Sequence, residues 1–152
     1  MCIRDSVGKV RDKNLAKICQ KFTKRINHDI NFEDILIKDS GKQKENLKIL
    51  KYMKSDDGFH IAMSEDGEHL DSKELALLLK SRSEKITFII GGPDGLSENV
   101  KETANMNLSL SSLTFTHEMA KTFLLEQLYR ACLLYTSPSP RDLSTSRMPS
   151  SA

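Results

Sequence analysis

ITFIIGGPDGLS, residues 86–97, is the stretch that decides the fold. Ile86 to Ile90 is continuously apolar and rich in β-branched side chains, as a strand buried on both faces of a parallel sheet requires. Gly91-Gly92-Pro93-Asp94-Gly95 breaks it, and Ser97 can cap a short helix over Glu98 to Asn105. A glycine turn between a buried strand and a helix lets backbone N–H groups approach a ligand closely. Ligands of open α/β sheets bind beyond the carboxyl ends of the strands. A tight connection that needs positive φ would give the same residues. The loop is not the dinucleotide fingerprint, because it lacks the G-x-G-x-x-G spacing and follows a late strand.

Working outward, strands alternate with helices. Upstream, Asp71 opens a helix with Glu74 three positions later, a capping-box spacing, and Leu75, Leu77, Leu78 and Leu79 follow. Before it, Phe59 to Met63 (FHIAM) reads as a strand, leading to a loop that holds Asp66-Gly67. Lys42 to Lys54 spaces Leu47, Leu50 and Met53 as a helix does, with lysines around them; Asp39-Ser40-Gly41 and Asp56-Asp57-Gly58 mark turns. Glu33 to Lys38 reads as a strand. Leu15, Ile18, Phe22 and Ile26 form one stripe of an amphipathic helix between Val10 and Asn27, with Lys13, Lys17, Lys21, Lys24 and Arg25 largely off it. Downstream, Leu108 to Phe115 (LSLSSLTF) alternates leucine with hydroxyl residues, and His117 to Ala131 reads as a helix with Met119, Ala120, Phe123, Leu124 and Leu128 on its apolar side. The pattern predicts an α/β protein, a mostly parallel sheet flanked by helices. An opening strand before Val7 is missing from this reading.

At 152 residues, a single domain with a modest core is expected. No apolar run approaches the roughly 18 to 20 residues that span a bilayer, and no secretory signal is visible, so a cytoplasmic address is expected, with no membrane partner. Cys2, Cys19 and Cys132 have no metal-ligand spacing and suit free thiols in a reducing compartment; no metal site is expected. Residues 132–152 are dominated by Ser and Pro and, with residues 1–6, resemble translated sequencing-adapter read-through. The expected domain is therefore 7–131, with 1–6 and 132–152 as non-native or disordered ends. Within it, Val7 to Lys54 holds 13 Lys/Arg against 6 Asp/Glu, and Ser55 to Ala131 holds 7 against 13. The basic half suggests a polyanion partner; solvated helix faces would give the same count.

Three features carry candidate chemistry: the glycine loop, the Ser/Leu alternation, and His117 before the last helix. His28, His60 and His69 have no such setting, and His60 suits a plain strand position. Read in order, IIGGPDGLS (89–97), LSLSSLTFTH (108–117) and LLEQLYRA (124–131) resemble the bacterial ribosomal RNA pseudouridine N3-methyltransferases of the RlmH type, in the SPOUT superfamily. The similarity extends more weakly back to Val7.

The resemblance implies a SPOUT-like fold with a C-terminal trefoil knot, which base rates of chain topology would not suggest. It implies a homodimer that binds S-adenosylmethionine and methylates a pseudouridine of large-subunit (23S) rRNA in the ribosome. Its cofactor contacts, carried over by position, are Met63, Gly91, Leu110, Ser111, Ser112, Leu113, Thr114 and Phe115. His117, Tyr129 and Arg130 become candidates for substrate positioning. Three departures stand out. Met63 replaces the family's usual leucine, and Lys121 stands where arginine is common. The family's terminal segment with a Tyr-His pair has no counterpart from Cys132 onward. The alternative is a non-catalytic RNA- or ribosome-binding α/β module. A flavodoxin-like protein would carry its phosphate loop after the first strand, where none is present.

Overall fold

The computed structural model describes residues 2–7, 12–36, 42–82, 84–91 and 96–136. In chain order these form β1 (Cys2–Val7), α1 (Lys13–Asp29), β2 (Asn31–Leu36), α2 (Lys42–Ser55), β3 (Phe59–His69), α3 (Ser72–Ser81), β4 (Ile86–Ile89), α4 (Glu98–Thr103), β5 (Met106–Ser109) and α5 (His117–Thr136). The strands make one sheet in the order β2-β1-β4-β3-β5, and every pairing is parallel. The α/β expectation holds.

Alternation along the strands sorts the helices onto two faces. Ile61 of β3 and Ile86 and Phe88 of β4 join a core with residues of α1, α3 and α5. Their neighbours Ala62 and Ile89 point the other way and pack with Ile49 and Met53 of α2 and Val100 of α4. This is the period-two rule acting on a strand covered on both sides, which is why 86–90 has no polar residue but Thr87. Thr87 is fully buried, and its hydroxyl lies 3.2 Å from the Tyr52 hydroxyl of α2.

Local chemistry sets the helix starts. Asp12 caps α1, its carboxylate accepting from the N–H groups of Asn14 and Leu15. Asp71 and Glu74 close the capping box expected at α3. Ser97 accepts from the Val100 N–H and starts α4. Each such cap contributes about 1 kcal/mol.

Several expectations are corrected. The missing opening strand is Cys2–Val7, which lies between β2 and β4 with Ile3 opposite both Phe32 and Ile86. CIRDSV carries little strand propensity of its own; hydrogen-bonded neighbours on both sides impose the conformation. Likewise α5 runs on to Thr136, with Ala131 and Cys132 buried against α1 and the sheet, so disorder does not begin at Cys132. Residues 137–152 lie outside the described residues, as do the Asp39-Ser40-Gly41 turn and Gly92 to Gly95 of the glycine loop. The Asp66-Gly67 loop is instead an irregular continuation of β3, with a shift of pairing to β5 between Met63 and Glu68. On α1, Cys19 is buried while Ile18 is largely exposed.

The amino ends of β3 and β4 are closed by a polar cluster. Asp56 accepts from the Gly58 N–H at 3.1 Å, pairs with His60 Nε2 at 2.8 Å, and forms an ion pair with Lys85. Burial of Asp56 would raise its pKa; the hydrogen bonds from Lys85, His60 and the Gly58 N–H outweigh this and hold it below the ordinary carboxylate value. A Cβ on Gly58 would lie 2.5 Å from the Lys85 carbonyl oxygen, so glycine alone fits this turn.

Candidate cofactor cleft

At the carboxyl ends of the strands the sheet opens into a cleft of about 700 Å³. That lies within the usual range for small-molecule sites, roughly 300 to 1,000 Å³. Four chain segments converge on it, one of them the start of α4 with Leu96, Glu98 and Lys101. The first is the irregular part of β3, where Met63, Ser64 and Glu65 line the wall. Gly67 makes this path possible: a Cβ there would stand 2.7 Å from the Asn107 carbonyl. The second is the exit of β4, with Ile90 and Gly91. The third runs from β5 into α5, with Leu110, Ser111, Leu113, Thr114 and Phe115.

This third segment is shaped by its own hydroxyls. The Ser109 hydroxyl is buried between the carbonyls of Ser111 (2.8 Å) and Glu65 (3.2 Å), where it can donate to one at a time. Ser111 Oγ accepts from the Leu113 N–H at 3.1 Å. Thr116 caps α5 through the Met119 N–H. The Phe115 ring packs against Phe123 of α5 with centroids 5.1 Å apart. The turn leaves Leu113, which lines the cleft, with 70% of its surface exposed. Only the start of the alternating stretch belongs to β5, which ends at Ser109, and the rest of the Ser/Leu alternation reflects turn-forming hydroxyls more than a sheet face.

Charge in the cleft is mainly negative. Among the described residues, Glu65, Glu98 and Glu118 line it against a single lysine, Lys101. Lys101 lies 3.8 Å from Glu98 and 3.9 Å from Asp66. The Ser64 hydroxyl, with help from Lys101, holds the Asp66 carboxyl below its usual pKa. Glu118 accepts from the Asp12 N–H at 3.1 Å, which ties the start of α5 to the start of α1.

Of the residues carried over for the cofactor, Met63, Gly91, Leu110, Ser111, Leu113, Thr114 and Phe115 all line this cleft; Ser112 sits in the same turn, exposed, and is not part of the lining. His117 lines it as the first residue of α5. Tyr129 and Arg130 lie elsewhere. Tyr129 packs on Phe22 with the Arg25 guanidinium over its ring, and Arg130 pairs with Glu126 on the surface. Sequence reasoning missed Ser64, Glu65, Lys101 and Glu118. Only Gly67 signalled the β3 irregularity, and nothing in the sequence placed the α4 side chains at the rim.

The family of predicted SPOUT methyltransferases matches residues 5–138. A ribosomal RNA large subunit methyltransferase H from Prochlorococcus marinus (strain NATL1A) is 41% identical over 127 residues, spanning 83% of this chain and 85% of that protein. The protein of the same name from Acholeplasma laidlawii (strain PG-8A) is 41% identical over 134 residues, with 83% and 88% covered. Among solved structures, a tRNA methyltransferase from Aquifex aeolicus superposes with a TM-score of 0.56 at 18% identity, covering 86% of this chain and 70% of the other. That likeness speaks for the fold alone. The sheet order, the cleft at its carboxyl end and similarity across most of the sequence agree: this chain belongs to the SPOUT methyltransferase family, alongside the ribosomal RNA large subunit methyltransferases H.

Proposed function

We infer that this protein is an S-adenosylmethionine-dependent methyltransferase acting on N3 of a pseudouridine in 23S ribosomal RNA. One observation carries the reading: Met63, Gly91 and the 110–115 turn, separated by up to 52 positions, converge on a single cleft. The residues present suit that cofactor. Apolar walls from Met63, Ile90, Leu96 and Phe115 match an adenine ring, and turn backbone supplies its hydrogen-bond partners. Glu65, Glu98 and Glu118 favour a ligand that carries sulfonium and ammonium charges.

When bound, the cofactor would supply an activated methyl group for transfer from its sulfur to the ring nitrogen. The chain's own work is placement. Met63, Gly91, Leu110, Ser111, Leu113, Thr114 and Phe115 would hold the cofactor, with Ser112 shaping their turn from outside the lining, and His117 would orient the base. The target nitrogen must also give up its proton, so an acceptor has to stand near it. Tyr129 and Arg130, outside the cleft, are left to act through packing on α1, RNA phosphate or a second subunit.

The reading carries finer proposals with it: a trefoil knot in the C-terminal part, a cytoplasmic homodimer, and action on the ribosome. Among the described residues no helix is long and apolar enough to cross a membrane. Light scattering should give about twice 17.2 kDa if the protein is a dimer. Calorimetry with S-adenosylmethionine tests the cleft, and no binding at millimolar cofactor defeats the enzyme reading. Tritiated-methyl transfer to ribosomes lacking the modification then tests catalysis. Binding without transfer would favour a non-catalytic ribosome-binding module.

A further inference from the structure

We propose that the outer face of α2 is the docking ridge for the substrate RNA's phosphate backbone, beside the mouth of the cofactor cleft. This rests on the ribosomal RNA reading above and assigns the surface that reading leaves open.

The ridge follows from how α2 is buried. Glu45, Asn46, Ile49 and Met53 turn inward, so Lys44, Leu47, Lys48 and Lys51 share the opposite face. All four are exposed, and Leu47 keeps 64% of its surface in solvent. Among the described residues, none of the three lysines forms an ion pair. The helix's only carboxylate, Glu45, is among the residues turned inward.

Position ties the ridge to the cleft. Asn46 Oδ1 accepts from the Ser97 N–H at 2.8 Å, and Ile49 packs with Leu96, which itself lines the cleft. The first turns of α2 therefore brace the cleft wall, and Lys44 and Lys48 stand on its outer side. The cleft's carboxylates would repel phosphate, so an RNA delivering one base must keep its backbone outside. The lysines offer charge, and Leu47 between them offers an apolar contact for a sugar or base face.

Helix α1 carries a comparable row, Lys13, Lys17, Lys21 and Lys24. It descends the other face of the sheet, Asp12 and Glu118 stand at its start, and Arg25 is engaged by the Tyr129 ring. It is the weaker candidate.

The test compares Lys44→Gln/Lys48→Gln with two balanced controls, Lys73→Gln/Lys80→Gln on α3 and Lys17→Gln/Lys21→Gln on α1. Each removes two exposed charges. Binding to ribosomes lacking the modification is measured across salt, with S-adenosylmethionine affinity measured in parallel. The α2 variant should bind ribosomes roughly tenfold more weakly or worse, with the log–log salt slope reduced by about 1.4, and bind cofactor as the wild type does. The α3 control should barely change. An unchanged slope in the α2 variant, or an equal loss in all three variants, would overturn the ridge while leaving the enzyme reading intact. A loss confined to the α1 variant would move the docking surface there. A wild type that neither binds nor methylates these ribosomes would overturn both readings.

Discussion

The two ends of β3 and β4 are built on opposite principles. At the amino ends, Asp56, His60, Lys85, Tyr52 and Thr87 satisfy one another within a few ångströms, and Gly58 closes the turn against the Lys85 carbonyl. At the carboxyl ends, β3 leaves regular pairing, β5 stops at Ser109, and the loops stand apart around about 700 Å³ of open space. The same strands run through both. A parallel sheet forces this economy: all its strand ends of one kind lie together, so polar closure can collect at one end and a binding site at the other. The lesson is that a polar cluster in this fold need not mark chemistry. The Asp56–His60–Lys85 group resembles a catalytic constellation by composition, yet its members are engaged with one another and lie at the end away from the cleft.

Perturbing the shared middle should affect both ends. Phe88 is fully buried at the centre of β4. Phe88→Ala should cost about 3–5 kcal/mol in urea unfolding and weaken cofactor binding as well, because the strand carries Ile90 and Gly91 to the cleft. Intact cofactor affinity in a destabilised variant would show the cleft to be independent of the sheet beneath it. Next in size, Asp56→Ala leaves Lys85 and His60 without their shared acceptor. It should cost about 2–3 kcal/mol, toward the low side for a broken buried pair because Lys85 is partly exposed, with cofactor affinity unchanged. A matching loss of affinity would break the separation of the two ends. The converse is Gly91→Leu, which places a side chain at the cleft wall. Calorimetry should show cofactor affinity down at least about tenfold, equivalent to about 1.4 kcal/mol, while the unfolding midpoint barely moves. Undiminished affinity would remove Gly91 from the site.

The sequence reads well where local signals and packing agree. Ile86 to Ile90 is legible because a strand covered on both faces can hold little but apolar side chains, and Asp71 with Glu74 because a capping box is chemistry within four residues. Cys2–Val7 is not legible: its conformation comes from β2 and β4, whose pairing has no local trace. The same holds for the cleft. Met63, Gly91 and Leu110 to Phe115 are ordinary residues for core and turns, and only three motifs in order, matched to a family, single them out. Glu65 and Glu118 reach the cleft through the β3 irregularity and the cap of α5, and spacing predicts neither. Tyr129 and Arg130 belong to the same family motifs, and a helix 20 residues long carries its far end well away from the cleft at its start, so a role for them is to be sought at RNA phosphate or a second subunit.

The smallest predicted effect tests the closed end by pH. The Asp56 carboxyl is held below its ordinary value of 3.8, whereas in the unfolded chain it titrates near that value. The unfolded state therefore binds the proton first as pH falls. Ionised Asp56 thus contributes stability that is complete above about pH 5, begins to fade as pH approaches 3.8, and is gone below the folded-state pKa. Asp56→Asn keeps the shape and an acceptor oxygen but cannot ionise beside Lys85. Its deficit in unfolding free energy against wild type should be constant from pH 7 to 5 and shrink between pH 5 and 3. The cleft offers the contrast. Asp66 is also held low, but it is exposed and its partners are Ser64 and Lys101, so Asp66→Asn should leave the acid unfolding profile almost parallel to wild type. A profile for Asp66→Asn that converges with wild type as strongly as that of Asp56→Asn would mean that the open end shares the electrostatic closure assigned here to the other.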